Sequence, residues 1–231
     1  MNILLLMMGG SGTRFGADIP KQYILVDDRP IFSYILKKYD EMDAIDKIVI
    51  VSHRDWIDYV YEWSEKLEIK KLSNIVSGGS TRSESVFNGL KMIKNIADDN
   101  AVVLIHDATH PYVDISGTEK VIEAVNEFGG ATLGSFQYDT VYEMKDGFIS
   151  DVIPRQNVVV GASPEAFKLS TIHRIYENAD DSEFEKMTSA GAIALANNIP
   201  MKVIPTNLIN LKITYKDDME AFKKLFYDYY F

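Results

Sequence analysis

The stretch "LLLMMGGSGTRFGADIPKQY" near the start of the chain joins an apolar run to a glycine-rich loop carrying two cations, Arg14 and Lys21. Glycines after a first strand let backbone N–H groups approach phosphates without Cβ interference. Three loops fit this outline. A Walker-type loop would end in Gly-Lys-Ser/Thr, which is missing. A dinucleotide loop would start a helix at the glycines and close the second strand on an acidic residue. Here Gly16 and Pro20 interrupt any helix, and the second strand ends in "VSHRD". The third is a loop wrapped around a nucleoside triphosphate, with the two cations supplying charge. An exposed loop with solvated cations is the structural alternative.

Other chemistry-bearing residues lie at the ends of predicted strands. "VVLIHDATHP" places Asp107 at the carboxyl end of a buried strand, where a carboxylate is rarely left without a partner. A hard oxygen ligand there suits Mg²⁺ (or Mn²⁺), which keeps several waters and bridges phosphates. The neighbouring His106 reads as packed or hydrogen-bonded rather than as a metal ligand, since imidazole suits softer metals. "GGSTRSES" predicts a helix starting near Thr81, with Ser80 or Thr81 as its cap and Glu84 completing a capping box.

These positions require an alternating frame. "NILLLMM", "KIVIVS", "SNIVSG", "AVVLIH" and "GATLGSF" predict strands that are mostly apolar on both faces, and the stretches between them carry apolar residues at helical spacing. The alternation predicts an α/β, three-layer fold with a mainly parallel sheet, whose ligands bind beyond the carboxyl ends of the strands. "DTVYEMKDGFISDVI" breaks the pattern and predicts a hairpin turning at Asp146-Gly147. Beyond it, "SPEAFKLSTIHRIYENA" and the stretch around "MTSAGAIALANN" predict helices, "MKVIP" a strand, and "YKDDMEAFKKLFYDYY" a last helix. With no repeat or linker, residues 1–231 read as one domain with an arm from about Ser135 to Asn157.

Composition narrows the partners. Hydrophobic residues make up 46% and charged residues 25% of the chain, as in ordinary globular proteins, and there is no cysteine. That excludes disulfide and thiolate chemistry and fits a reducing cytoplasm. The formal net charge of −10 repels nucleic acid and anionic membrane, so an anionic ligand needs cations gathered in a cleft. No apolar run is long enough to span a bilayer, and the N-terminal "MNILLLMMGG" reads as a strand rather than a leader.

Taken in order, "GGSGTRFG…IPKQY", "SGGSTRSESVFNGL", "IHDATHP", "DTV", "PRQNVVVGASPEAF" and "NLKIT" resemble the motifs of the polyol-phosphate cytidylyltransferases over nearly the whole chain. That family includes 2-C-methyl-D-erythritol 4-phosphate and ribitol-5-phosphate cytidylyltransferases. The resemblance implies a Rossmann-like nucleotidyltransferase fold whose inserted β-hairpin is a dimerisation arm, and transfer of CMP from CTP to a polyol phosphate with release of pyrophosphate. It implies that Arg14, Lys21 and Lys212 face the reacting phosphates. It implies that Met8, Gly9, Gly10, Gly12, Gly79, Ser80, Arg82, Ser85, Asp107 and Ala108 hold CTP, with Gly79, Ser80 and Ser85 on the cytosine side. Thr140 and Arg155 match residues of an arm that crosses a homodimer to grip the acceptor phosphate; His110 and Thr188 fall at acceptor positions.

Three departures stand out. His110 occupies the slot where the family carries arginine, a change from a permanent bidentate fork to a shorter ring expected to titrate near neutrality. Ser163-Pro164-Glu165 replaces Thr-Pro-Gln, and "TSAG", Thr188 to Gly191, replaces an acidic string. The first and third imply an altered acceptor, smaller, less hydroxylated or differently shaped, with phosphate recognition kept by Thr140 and Arg155. "SHRDW" and the Ile-Pro-Arg run resemble the ribitol-phosphate branch more than the erythritol branch. A nucleotide-binding relative without turnover and a dinucleotide-dependent oxidoreductase are the competing classes; loss of Arg14, Lys21 or Asp107 would have favoured the former.

Overall fold

The computed structural model describes residues 1–10, 15–16, 19–180 and 189–230, apart from the Ala190 side chain. Its centre is a seven-stranded sheet in the order β11-β7-β10-β6-β1-β4-β5. These strands are β1 (Asn2–Met8), β4 (Lys47–Ser52), β5 (Leu72–Ser77), β6 (Val102–Asp107), β7 (Gly130–Phe136), β10 (Val159–Lys168) and β11 (Met201–Pro205). All run parallel except β10, which is antiparallel to both neighbours. Two small hairpins stand apart: β2 (Leu25–Val26) with β3 (Arg29–Pro30), and β8 (Val141–Lys145) with β9 (Phe148–Ile153).

Alternation along β1 builds the three layers. Leu4, Leu6 and Met8 face one cluster with α1 (Ile31–Asp40), α2 (Ile57–Lys66) and α4 (Ile115–Phe128). Ile3, Leu5 and Met7 face the other, with α3 (Arg82–Lys94), α5 (Leu169–Asn178) and α6 (Ala190–Ala196). Successive strand residues point to opposite faces, so a run buried on both sides must be apolar throughout. The last helix, α7 (Lys216–Tyr230), packs Met219, Phe222 and Phe226 against Phe15, Val26, Ile31, Tyr34, Tyr112 and Ile213.

Two features differ from the sequence expectation. "SPEAFK" is not the start of a helix but the end of β10; the helix begins only at Leu169. Ser-Pro-Glu is a strong local helix-start signal. It is overridden because the segment fills the slot between β6 and β7 and pairs with both. The register shift between Ala162 and Glu165 takes up Pro164, which has no N–H to donate. The second difference is the short β2–β3 hairpin, which the sequence reading did not contain. The expected hairpin is present, with Asp146 (φ 53°) and Gly147 (φ 85°) making the turn, and among the described residues its two strands pair only with each other.

Helix α3 crosses the sheet at Gly89, where an added Cβ would lie 2.4 Å from Leu5 Cδ1 and 2.9 Å from Val51 Cγ2. Gly89→Ala therefore sets a helix-propensity gain of about 1 kcal/mol against an overpacking cost of ~1–3 kcal/mol. The expected outcome is a lower denaturation midpoint, with a net loss on the order of 1 kcal/mol; a raised midpoint would show that this contact relaxes freely.

Candidate functional site

The strands β1, β4, β5 and β6 end together, and a cavity of about 670 Å³ opens beyond their carboxyl ends. Its floor is held by a single turn of 3-10 helix at Lys21–Tyr23. Gln22 Nε2 donates to the carbonyls of Met8 and Gly10 (both 2.8 Å), pinning the backbone where β1 runs out. The buried Tyr23 hydroxyl accepts from the His53 N–H at 3.2 Å, sits 2.9 Å from Ser52 Oγ, and bonds the Met8 carbonyl at 3.1 Å. One side chain thus ties the end of β1 to the end of β4. Lys21 itself is buried and lines the cavity.

The wall after β5 is built by the start of α3. Thr81 caps the helix by accepting from Glu84 N–H at 3.1 Å, and Glu84 reaches back to the N–H and hydroxyl of Ser80. These bonds hold the Glu84 carboxyl below its usual range, the Ser80 hydroxyl first and its N–H next. Ser85 Oγ accepts from Gly79 N–H (3.0 Å) and donates to the Thr81 carbonyl (2.8 Å). A Cβ on Gly79 would lie 2.4 Å from Glu84 Cβ, so this turn needs glycine.

Charge concentrates at Asp107. Its carboxylate meets Arg82 Nη2 at 3.1 Å and Lys212 Nζ at 3.0 Å, with 17% of its side chain exposed. Burial pushes its pKa up, but the Arg82 and Lys212 cations outweigh that and hold it well below the carboxylate range. For Arg82, burial opposes the charge, while Asp107 and then Glu165 more than offset it. Lys212 arrives on the segment after β11, which is stitched down by Ile213 N–H to the Thr109 carbonyl and by Asn210 Nδ2 to the Gly161 carbonyl.

Behind Asp107 the histidines form a neutral layer. The His110 carbonyl can only accept, so His106 Nε2–H donates to it at 2.8 Å and the Tyr39 hydroxyl donates to His106 Nδ1 at 2.8 Å. His106 is fully buried, and burial pushes its pKa down to about 4. It is packed and hydrogen-bonded, as its sequence context suggested.

The structure brings Met8, Gly9, Gly10, Lys21, Gly79, Ser80, Arg82, Ser85, Asp107 and Lys212 onto one cavity. Gly12, Arg14 and Thr188 lie outside the described residues. Ala108 does not line the cavity: it is fully buried, and its N–H is spent on the Met7 carbonyl. His110 also departs from expectation. Its ring turns toward β10, where Nδ1 lies 2.8 Å from Ser163 Oγ, and it faces a separate small pocket rather than the cavity. Nor does it titrate near neutrality, because burial first, then His106 and Lys212, pushes its pKa down to about 3. Thr140 and Arg155 sit at the exposed root of the arm, where Arg155 Nη1 donates to the Tyr138 carbonyl at 2.7 Å. The cavity also includes Met7, Gln22, His53 and Thr109, which the sequence reading did not single out. The usable signal for His53 was a polar residue directly after the buried strand β4; for Gln22 it was its place next to Lys21.

No cluster of three or more His, Cys, Asp or Glu able to hold a metal occurs among the described residues. Asp107 is the only carboxylate among the described residues lining the cavity. One hard oxygen donor is no cage for a resident ion, but it fits Mg²⁺ held jointly with substrate phosphates. No described helix is long and apolar enough to cross a membrane.

The family model described as "IspD: 2-C-methyl-D-erythritol 4-phosphate cytidylyltransferase" matches residues 2–225. The 2-C-methyl-D-erythritol 4-phosphate cytidylyltransferase of Thermotoga neapolitana is 35% identical, over 95% of this chain and 94% of its own length. The ribitol-5-phosphate cytidylyltransferase of Streptococcus agalactiae serotype Ia is 31% identical, over 98% and 95%. Among solved structures, the 4-diphosphocytidyl-2C-methyl-D-erythritol synthase of Anaerococcus prevotii superposes with a TM-score of 0.82 at 24% identity, covering 99% of this chain and 96% of that one. The 2-C-methyl-D-erythritol 4-phosphate cytidylyltransferase of Francisella tularensis gives 0.76 at 25% identity, over 96% and 98%.

The neutral histidines make an acid-stability prediction. A ring whose folded pKa is depressed contributes stability that is complete above its unfolded pKa of about 6.5 and is lost as pH falls toward the folded value. With His106 at about 4 and His110 at about 3, unfolding near pH 5 should take up about two protons on these rings. His110→Asn should reduce the pH slope of the unfolding free energy by about one proton at pH 5. An unchanged slope would mean that His110 is protonated in the folded state.

Proposed function

The chain belongs to the IspD family of cytidylyltransferases, and we propose that it transfers CMP from CTP to a polyol phosphate, giving a CDP-polyol and pyrophosphate. We rank ribitol 5-phosphate, or a related capsule or teichoic-acid precursor, ahead of 2-C-methyl-D-erythritol 4-phosphate. The observation carrying the chemistry is the meeting of Lys21, Arg82 and Lys212 on one cavity with the bare backbone of Gly9 and Gly10, in a chain of net charge −10. Local positive charge in an acidic protein is what an anionic substrate requires.

In this reading the acceptor phosphate, already anionic at neutral pH, attacks the α-phosphorus of CTP. A bond from an acceptor oxygen to that phosphorus forms, the bond from it to the α–β bridging oxygen breaks, and pyrophosphate carries the electron pair away. No general base is needed. Two polyanions must be aligned and their repulsion offset; alignment of reacting groups can contribute ~7–11 kcal/mol. Arg14, Lys21 and Lys212 take that electrostatic role. The Gly79–Ser85 turn receives the base. A divalent cation held by Asp107 and the phosphates would add charge neutralisation at the same place.

The acceptor ranking rests on the loss of arginine at position 110, on "TSAG", and on the "SHRDW" and Ile-Pro-Arg runs. A neutral ring bonded to Ser163 cannot supply the charged fork expected at position 110. The Thermotoga neapolitana relative supports the erythritol reading as the alternative.

The same reading makes residues 1–231 one cytoplasmic catalytic domain acting as a homodimer. The arm leaves Met144 73%, Phe148 77% and Ile149 65% exposed, and an isolated two-stranded hairpin is marginal in water. We assign a second copy to cover this face, which would carry Thr140 and Arg155 to the partner's acceptor site.

Pyrophosphate release with CTP and Mg²⁺ should appear with one phosphorylated polyol from a panel of ribitol 5-phosphate, 2-C-methyl-D-erythritol 4-phosphate and glycerol phosphates, and not with ATP, GTP or UTP as donor. Turnover with methylerythritol phosphate alone would reverse the ranking. Lys212→Ala should lower kcat by ~10²–10³, the usual effect of removing one charge aimed at the transition state. Sedimentation should give a dimer, with Phe148→Glu shifting it to monomer and removing turnover while CTP binding persists. A fully active monomer would overturn the cross-subunit role of Thr140 and Arg155.

A further inference from the structure

We propose that His53 reads the nucleobase, donating a hydrogen bond from Nε2–H to N3 of cytosine and so helping to select CTP over UTP; the inference rests on the cytidylyltransferase reading. His53 follows β4, the strand between β1 and β5 in the sheet. It therefore lies between the two segments, Met8–Gly10 and Gly79–Ser80, that form the rest of this wall of the cavity.

The other polar side chains of the wall are occupied within the protein. Ser80 Oγ donates to Glu84, Thr81 Oγ1 accepts from Glu84 N–H, and Ser85 Oγ both accepts from Gly79 and donates to Thr81. The Gln22 amide N–H groups go to the Met8 and Gly10 carbonyls. His53 differs. Its Nδ1 accepts from the Asp55 N–H at 3.3 Å, and its Nε2 has no hydrogen-bond partner among the described residues.

The first bond settles the chemistry of the second nitrogen. A neutral ring that accepts at Nδ1 carries its proton on Nε2, and a protonated ring carries one there as well. His53 Nε2 is thus a donor in either state. The residue is held at two points: its backbone N–H donates to the Tyr23 hydroxyl, and its ring Nδ1 accepts from the Asp55 N–H. A pre-positioned donor loses little freedom on binding.

Cytosine presents acceptors at O2 and N3 and a donor at N4. Uracil differs at N3, where it carries a hydrogen. A donor facing N3 therefore favours cytosine and is left unpaired against uracil, the asymmetry that gives polar sites their discrimination.

The test is equilibrium binding of CTP and of UTP, each with Mg²⁺ and no acceptor, to the full chain carrying His53→Phe or His53→Gln. Phenylalanine keeps a ring and loses the donor; glutamine places an amide N–H near the Nε2 position. His53→Phe should weaken CTP roughly 3- to 10-fold, the range of one neutral hydrogen bond, while UTP changes less than about twofold. His53→Gln should recover most of the CTP affinity, and a thermal melt of each variant reports folding separately. Unchanged CTP affinity in His53→Phe, or equal losses for CTP and UTP, would overturn the assignment while leaving the cytidylyltransferase reading intact. A wild-type protein with no preference for CTP would overturn both.

Discussion

Asp107 is the constraint around which the site is arranged. A carboxylate at the end of a strand buried in the sheet must be paired, because removing an ion from water costs several kcal/mol unless opposite charge and hydrogen bonds replace the solvent. Its partners come from distant parts of the chain: Arg82 from the first turn of α3 and Lys212 from the segment after β11. One buried charge thereby brings three segments to a common point. It also keeps two cations in place beside the cavity with their charge partly satisfied. Such pre-positioned charge is worth more in a water-poor cleft than the same charges on flexible surface side chains.

The surroundings of Asp107 are arranged to add no further charge. His106 and His110 lie behind it, both held neutral chiefly by burial; His106 uses both ring nitrogens and His110 its Nδ1 for internal hydrogen bonds. This layer connects α1 through Tyr39, β6 through His106, and β10 through Ser163. Hydrogen bonds that link three elements in a low-dielectric interior hold those elements firmly together. The carboxyl end of β6 is consequently fixed from behind while its front faces the cavity. Gln22 and Tyr23 do the equivalent work for β1 and β4, so three strand ends meet the cavity with little freedom.

The arm follows a different logic. The three-layer body buries its apolar runs between sheet and helices, but among the described residues β8 and β9 pair only with each other and leave large apolar side chains in solvent. Nothing else in the described chain covers them. The physical demand for burial therefore points outward from the arm, and inward everywhere else.

The sequence by itself determined the elements whose signals are local. Apolar runs buried on both faces marked β1, β4 and β6, the Asp-Gly turn marked the arm, and Thr81 with Glu84 marked the start of α3. The motif order carried the family and most of the residues that line the cavity. Tertiary structure decided what depends on non-local pairing. "SPEAFK" carries a helix-start signal, yet it became a strand because the slot between β6 and β7 offered hydrogen bonds on both edges, which outweigh local propensity. The ring of His110 is a second case. Its type and position suggested a titrating residue on the acceptor site, but its direction and charge depend on Ser163, fifty-three residues away, and on burial by other elements. His53 was visible only as a polar residue after a strand; its open donor nitrogen emerged from the bonds that its neighbours make. Propensity and pattern are encoded residue by residue, whereas burial, partner and ionisation state belong to pairs of residues that only folding brings together.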